Sequence, residues 1–369
     1  LYTGLQAAVD ALVPMPRPNV AIYMRSWETQ SGFPYIKVSR SGSTLTIEQN
    51  RFMYTDRTSS NLWWIPISYV VGSNPNFEDS RADLWMGPER TVTLQSFNAP
   101  KPFTENDWII FNIQQGGYYR VNYDENLWNL IFEELNSDRF SQIHIFNRAQ
   151  LIDDTFHFAR ANIVSYNAAL NAMNYLERET DYIPWASANR ANNLLNRWIS
   201  GSNVYSRYQA FMRKNVDALY KRLGVDIIEN EQRVDRYARS IAVNIACQSQ
   251  HITCLRETNE KLQSLIDTDR KPANDVASII YCNGIRDANE MLFKKVWERA
   301  LASSVLTERN TILSGLGCVQ SSSLLNEYFK NAISPLYQLS RSERSRIMTS
   351  AVNNGESSIR TMIFFLKNN

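Results

Sequence analysis

The sequence predicts an α+β chain of more than one domain: a small antiparallel β-sandwich followed by a large, irregular α-solenoid of the armadillo/HEAT kind. Three observations predict it. Between Phe33 and Tyr123 apolar residues alternate with period two and are interrupted by Gly, Pro, Asn and Ser turn signals. Beyond Asp124 apolar residues recur at three- and four-residue spacing almost to the last residue. Between the two lies Gly116-Gly117-Tyr118-Tyr119-Arg120-Val121-Asn122-Tyr123-Asp124, which reads as a last strand running into a helix cap. A chain of 369 residues exceeds one typical core, and the expected division is 1–31, 32–123 and 124–369.

Residues 1–30 carry two short helical patterns. Leu5, Ala8, Val9 and Leu12 form one stripe, closed by the Pro14 to Pro18 cluster. Val20, Tyr23, Met24 and Trp27 form the second. These two helices have no start of their own and are expected to be the tail of a larger domain lying upstream.

The strand candidates are Phe33 to Arg40, Ser43 to Tyr54, Leu62 to Val71, Thr91 to Phe97, Asp107 to Ile113 and Tyr118 to Tyr123. Ser41-Gly42 joins the first two as a hairpin. Leu45 and Ile47 face one way, and Thr44, Thr46 and Glu48 the other. Trp63, Ile65, Ile67, Tyr69 and Val71 make a continuous inward row. In the last strand Tyr119, Val121 and Tyr123 share one face, while Tyr118, Arg120 and Asn122 share the opposite one. The Gly116-Gly117 pair is expected to supply the tight turn before it. Asp124 is expected to cap a helix carrying Leu127, Leu130, Ile131 and Leu135.

From there helices recur about every 15–20 residues. Ala149, Ile152, Phe156 and Ala159 mark one, and Ala169, Leu170, Met173 and Leu176 the next. Pro184 suits a first turn, and Gly201 and Gly224 suit helix ends. Val234, Tyr237, Ala238, Ile241, Ala242 and Ile245 form the cleanest stripe. Later stripes run over 291–301, 312–316, 324–333 and 359–366, and Ser340-Arg341-Ser342-Glu343 has the form of a capping box. No strict repeat consensus is present, so the solenoid is expected to be irregular.

The net charge of +2, with Lys and Arg spread along the chain, argues against a nucleic-acid or polybasic membrane partner. No apolar run approaches the roughly 18 residues of a membrane span, and residue 1 opens no signal peptide. There is no H-E-x-x-H, G-x-S-x-G, P-loop or dinucleotide glycine fingerprint. His144, His157 and His251 are scattered, and no C-x-x-C occurs, so zinc bound by this stretch is not expected. Asp153-Asp154 is the one adjacent carboxylate pair on a helix. It reads as one capping or ion-paired Asp and one solvated Asp, with Arg148 and Arg160 nearby. Arg120 is expected to pair with an acid across the seam between the β and α parts. Cys247, Cys254, Cys282 and Cys318 allow three pairings, of which the sequence-local one is the simplest. Four free buried thiols remain open on spacing alone. Bridges would contribute roughly 2.5 kcal/mol for the shorter loop and roughly 4 kcal/mol for the longer, and would place maturation outside the cytosol.

Several stretches together resemble one family, the zinc aminopeptidases of the M1 type, and within it the insect midgut aminopeptidase N group. Met24-Arg25-Ser26-Trp27-Glu28-Thr29-Gln30-Ser31-Gly32-Phe33-Pro34 resembles the exit from that family's catalytic domain. Gln49-Asn50-Arg51-Phe52 and Trp64-Ile65-Pro66-Ile67 resemble its β-sandwich motifs. Gly117-Tyr118-Tyr119-Arg120-Val121-Asn122-Tyr123-Asp124 is the most specific likeness, and Asn147-Arg148-Ala149-Gln150-Leu151-Ile152-Asp153-Asp154 resembles the opening of the helical domain.

The cysteine pattern is similar to that of animal aminopeptidase N, which implies Cys247–Cys254 and Cys282–Cys318 bridges. The family's Gly-x-Met-Glu-Asn motif, its zinc helix and its catalytic Tyr have no counterpart here, so no catalytic or zinc residue carries over to any position. The resemblance implies the C-terminal part of a larger ectoenzyme, cut at both ends, whose missing N-terminal and catalytic domains hold zinc and remove N-terminal residues from peptides. It implies an extracellular location at the midgut apical surface with a GPI anchor beyond this stretch. The same resemblance implies, as an alternative role, a binding module for a bacterial pore-forming toxin or another extracellular partner.

Overall fold

The computed structural model describes residues 2–12, 19–55, 58–352 and 354–368. The Pro14 to Pro18 cluster lies outside them. The chain divides into two compact units, Leu1–Tyr175 and Leu176–Asn369.

The first unit opens on α1 (Tyr2–Leu12) and α2 (Val20–Glu28), as the two apolar stripes predict. Asn19 caps α2, its side-chain oxygen accepting from the Ile22 N–H. Aromatic contacts hold α2 in place. Tyr23 stacks on Trp64 with ring centroids 4.3 Å apart, and the Trp27 indole N–H donates to the Trp64 carbonyl at 2.9 Å.

Eight strands follow: β1 (Pro34–Ser41), β2 (Thr44–Arg51), β3 (Ile65–Ile67), β4 (Tyr69–Val71), β5 (Leu84–Met86), β6 (Thr91–Gln95), β7 (Ile109–Phe111) and β8 (Arg120–Tyr123). They form a four-stranded sheet in the order β6-β2-β1-β8 and two strand pairs, β3-β5 and β4-β7. The β1–β2 hairpin turns at Gly42, whose φ of 56° suits a residue without a side chain.

The all-antiparallel expectation is corrected at one ladder: β8 runs parallel to β1, pairing Tyr35 with Arg120 and Val38 with Tyr123. A parallel neighbour needs a long connection, and residues 42–119 supply it. The expected single strand from Leu62 to Val71 is two strands. Between them the Ser68 carbonyl accepts from the Asn112 N–H at 2.8 Å and its hydroxyl from the Ile113 N–H at 3.0 Å. These bonds pass the chain from its β5 neighbour to its β7 neighbour. β5 itself, with only three residues and a half-exposed Leu-Trp-Met pattern, gave no alternation to read.

Leu45, Ile47, Trp63, Ile65, Ile67, Tyr69 and Val71 are buried, as the alternation required. Val70 is buried as well, because β4 and β7 are covered on both faces. Gln49 is fully buried at the centre of this unit. Its amide nitrogen reaches the carbonyls of Trp63, Gly87 and Glu89 at 3.1, 2.8 and 2.8 Å, and its oxygen accepts from the Trp63 N–H at 2.8 Å. One amide thus satisfies the backbone of two loops that have no strand partner there.

The unit closes with α3 (Glu125–Asn136), α4 (Ile145–Arg160) and α5 (Tyr166–Asn171). Asp124 caps α3 by accepting from the Leu127 N–H at 2.9 Å, and its other oxygen accepts from the Arg40 N–H at 2.6 Å. The same carboxylate therefore starts the helix and ties it to the edge of β1.

The second unit contains α6 (Tyr182–Ile199), α7 (Tyr205–Leu223), α8 (Arg233–Gln248), α9 (Ile252–Thr268), α10 (Asn274–Gly284), α11 (Glu290–Ala302), α12 (Leu306–Leu316), α13 (Ser322–Ile333), α14 (Arg341–Val352) and α15 (Glu356–Asn368). Each helix packs chiefly on its first and second neighbours in sequence: α8 on α6, α7, α9 and α10, α12 on α10, α11 and α14, and α15 on α13 and α14.

Gly224 ends α7 with a φ of 58°, its N–H donating to the Tyr220 carbonyl. The Ser340 and Glu343 box forms in full: the Glu343 N–H donates to the Ser340 hydroxyl at 3.3 Å, and the Ser340 N–H donates to Glu343 at 2.7 Å. Cys247–Cys254 staples the end of α8 to the start of α9, and Cys282–Cys318 staples α10 to the turn after α12. Among the described residues no helix is long and apolar enough to cross a membrane.

Candidate functional site

Two polar constructions stand out, one closed and one open. The closed one lies in the first unit and joins two stretches singled out from the sequence, residues 117–124 and 147–154, together with the turn at 112–115. On α4, Asn147, Gln150 and Asp154 fall three and four residues apart and so share a helix face. The Asn147 amide donates to the Asn112 carbonyl at 3.0 Å and accepts from the Gln114 N–H at 2.8 Å. It also donates to Gln150 at 2.8 Å, and Gln150 donates to Asp154 at 3.3 Å. Asp154 accepts from the Val121 N–H at 2.9 Å, and the Arg120 guanidinium spans Asp154 and Asp153 at 2.6 and 2.7 Å. Asp153 faces the His157 ring at 3.6 Å, and the other ring nitrogen of His157 meets the Tyr54 hydroxyl at 2.6 Å.

Arg120 thus has its acid, and it has two. The expectation of one ion-paired and one solvated Asp is corrected: the Asp154 side chain is 2% exposed and the Asp153 side chain 18%. Adjacent helix residues point about 100° apart, and a single planar guanidinium bridges that gap. Burial works against both carboxylates. For Asp153 the hydrogen bond to His157 and the charge of Arg120 outweigh it, so its carboxyl lies below the usual range. For Asp154 burial wins, with repulsion from Asp153 adding to it, and the group is pushed up to about 6.

The glycines of this stretch act differently from the expected turn role. Gly116 has a φ of −70°, and the left-handed residues are Asn112, Gln114 and Gln115 at 63°, 52° and 54°. Asn112 can hold that conformation because its amide closes the loop. It accepts from the Gly117 N–H at 2.8 Å and donates to the Gly117 and Tyr119 carbonyls, each at 3.0 Å. Gly117 is needed for close approach: a Cβ there would lie 2.4 Å from the Tyr119 ring. Tyr119 and Tyr123 are buried and Tyr118 is 72% exposed. Asn122, although on the polar face, is buried and accepts from the Trp128 indole at 3.0 Å.

The open construction is a cavity of about 1050 Å³ in the second unit, walled mainly by α6, α7, α8, α10 and α15. Its floor is a lattice of side-chain amides. Gln248 accepts from Asn192 and Asn196 at 2.8 Å each and donates to Asn193 and Asn244 at 3.2 and 3.1 Å, while Asn244 donates to Asn189 at 3.0 Å. The cavity also holds Arg197, Arg286, Arg360 and Glu356, three cations against one anion, a net of about +2. Gly201 leaves room for Glu356, since a Cβ there would lie 1.9 Å from its carboxylate.

Sequence reasoning did not single out this site. Its signal was present: Asn189, Asn192, Asn193 and Asn196 repeat at helical spacing on α6, and Asn244 and Gln248 sit four apart on α8.

The four cysteines lie in the second unit, away from any metal arrangement. His144 accepts from the Phe146 N–H at the start of α4, His157 belongs to the Arg120 cluster, and His251 faces Asp217 at 3.0 Å. Among the described residues no three His, Cys, Asp or Glu side chains are grouped to hold a metal ion, so the residues present do not fit a zinc site.

Comparison with known proteins gives the family. Residues 108–369 match the family described as the ERAP1-like C-terminal domain. The chain is similar to aminopeptidase N of Plutella xylostella, with 34% identity over all of the chain and 39% of that relative. It is similar to aminopeptidase N of Rattus norvegicus, with 30% identity over 96% of the chain and 37% of the relative. The thyrotropin-releasing hormone-degrading ectoenzyme of Rattus norvegicus is 27% identical over 84% of the chain and 30% of its own length. The chain therefore spans between three tenths and two fifths of the length of these relatives.

Proposed function

The chain belongs to the ERAP1-like C-terminal domain family of M1 aminopeptidases, and from that premise we propose that it serves as the non-catalytic C-terminal segment of a membrane-attached zinc aminopeptidase. Zinc, in this reading, would be held by the catalytic domain of the same protein and would supply Lewis-acid chemistry there. The part played by residues 1–369 is architectural. Residues 1–31 are the end of the catalytic domain, 32–123 a β spacer, and 124–369 an irregular solenoid that encloses the active site and admits peptides with a free N-terminus.

The observation that carries this reading is the amide-lined cavity of the second unit. Side-chain amides both donate and accept, so they can pair with the backbone of an extended peptide without regard to its side chains. The stepwise packing of each helix on its first and second neighbours favours the solenoid. Attachment outside the cell through a GPI anchor, at the midgut surface, belongs to the same proposal and rests on the resemblance to insect relatives.

The test uses the whole protein that contains this chain. Replacing Asn193 and Gln248 by Ala is expected to raise KM for peptides of eight or more residues several-fold and to leave hydrolysis of a small aminoacyl reporter unchanged. Equal effects on both substrates would reject gating. The chain by itself is expected to release no product from the reporter and to hold no stoichiometric zinc. Binding of a pore-forming toxin to the chain alone, with no change in peptide KM, would instead support a receptor role.

A further inference from the structure

We propose that Cys282–Cys318 is a thiol-exchange site, opened at Cys282 by small anionic thiols, while Cys247–Cys254 is inert. The two bridges differ in surroundings. Cys247 and Cys254 are fully buried. Cys282 and Cys318 are partly exposed, and Cys282 lines the cavity of about 1050 Å³. An attacking thiolate must reach the sulfur it attacks, and only the second bridge has an approach.

The same cavity selects the attacker. Arg197 and Arg286 line it, and neither has a carboxylate partner among the described residues, whereas Arg360 is paired with Glu356. A concave surface with uncompensated cations concentrates anions and speeds their encounter. Thiolates are anionic, and a thiol that also carries carboxylates is drawn more strongly. The surrounding amides, Gln209 and Asn283 among them, can hydrogen-bond a peptide-like body.

The thiolate sulfur attacks Sγ of Cys282, the new S–S bond forms there, the bond to Cys318 breaks, and Cys318 leaves as a thiolate that takes a proton from water. A second thiolate attacks the mixed disulfide, releasing a small disulfide and freeing Cys282. Two external thiols lose two electrons in all, and the bridge gains them.

The fold around the bridge does not depend on it alone. Gly315 brings α12 against α10, since a Cβ there would lie 2.6 Å from Cβ of Tyr281, and the Gln320 N–H donates to the Arg286 carbonyl at 2.9 Å. Opening the bridge therefore relaxes the cavity wall while α10 and α12 stay packed. This proposal does not rest on peptide gating and survives or fails separately from it.

The experiment exposes the folded chain to glutathione, 2-mercaptoethanol and cysteamine, which are anionic, neutral and cationic thiols. It is quenched by alkylation and mapped by mass spectrometry, with rates normalised to a model disulfide. Cys282–Cys318 is expected to open while Cys247–Cys254 stays closed, with the adduct on Cys282. Glutathione is expected to exceed cysteamine roughly tenfold. The double variant Arg197→Gln, Arg286→Gln should abolish that preference, slowing glutathione several-fold more than 2-mercaptoethanol, while an unchanged urea midpoint shows that it folds. Cysteamine reacting as fast as glutathione, an adduct on Cys318, or both bridges opening together would overturn the proposal.

Discussion

The cluster around Arg120 and the cavity around Gln248 are made of the same residue types, Asn, Gln, Arg and acidic groups, yet they do opposite things. In the cluster every Asp, Asn and Gln is engaged, Arg120 spans two carboxylates, and water is nearly excluded. In the cavity the amides engage one another while Arg197 and Arg286 keep their charge uncompensated toward an open space. A buried polar network whose groups are nearly all paired, the Arg120 Nε being the exception, fixes a structure, and an open one with spare donors and charge is available to a ligand. The difference lies in exposure and saturation, not in composition.

The largest expected effect tests the closed side. Arg120→Ala leaves Asp153 and Asp154 buried without their shared counter-charge and should cost about 3–5 kcal/mol in urea unfolding. A loss below about 1 kcal/mol would show that the cluster does not hold the first unit together.

The next effect depends on pH. In the unfolded chain Asp154 ionises near pH 4, while in the folded chain it keeps its proton up to about 6. Between those values the folded state binds more protons, so stability falls as pH rises, by roughly 3 kcal/mol at most. Asp153 has the opposite sign: its folded carboxyl ionises more readily than the unfolded one, so its contribution is lost as pH drops below about 4. Asp154→Asn should flatten the limb between pH 4 and 6 in a series of urea midpoints. An unchanged slope would place that titration elsewhere.

The smallest effect sharpens the contrast. Arg197→Gln or Arg286→Gln in the cavity should move stability by no more than about 0.5 kcal/mol, since neither side chain is tied to a carboxylate. A loss comparable to that of Arg120→Ala would mean that the cavity is structural after all.

Much of the first unit was legible because local rules suffice for it. Leu45 and Ile47 face inward because a strand alternates, and Asp124 caps α3 because a carboxylate three residues before Leu127 reaches its N–H. Ser340 and Glu343 close their box for the same local reason. The misreadings arose where a residue answers to a distant partner. Gly117 looked like a turn residue and instead makes room for the Tyr119 ring, while the left-handed turn positions fell to Asn112, Gln114 and Gln115. Asp153 looked half-solvated until β8 brought Arg120 to it.

By itself the sequence determined the order of two short helices, a run of strands and a long run of helices, together with the caps, the inward rows and the family, all of which depend on neighbours within a few residues or on motif spelling. Only the tertiary structure decided that β8 enters beside β1 in parallel, that one guanidinium serves two adjacent carboxylates, and that amides from α6 and α8 meet in a cavity. The physical reason is range. Dihedral preference and amphipathic spacing act within one element, whereas pairing direction, charge saturation and solvent access arise only when segments roughly 30 to 85 residues apart come together.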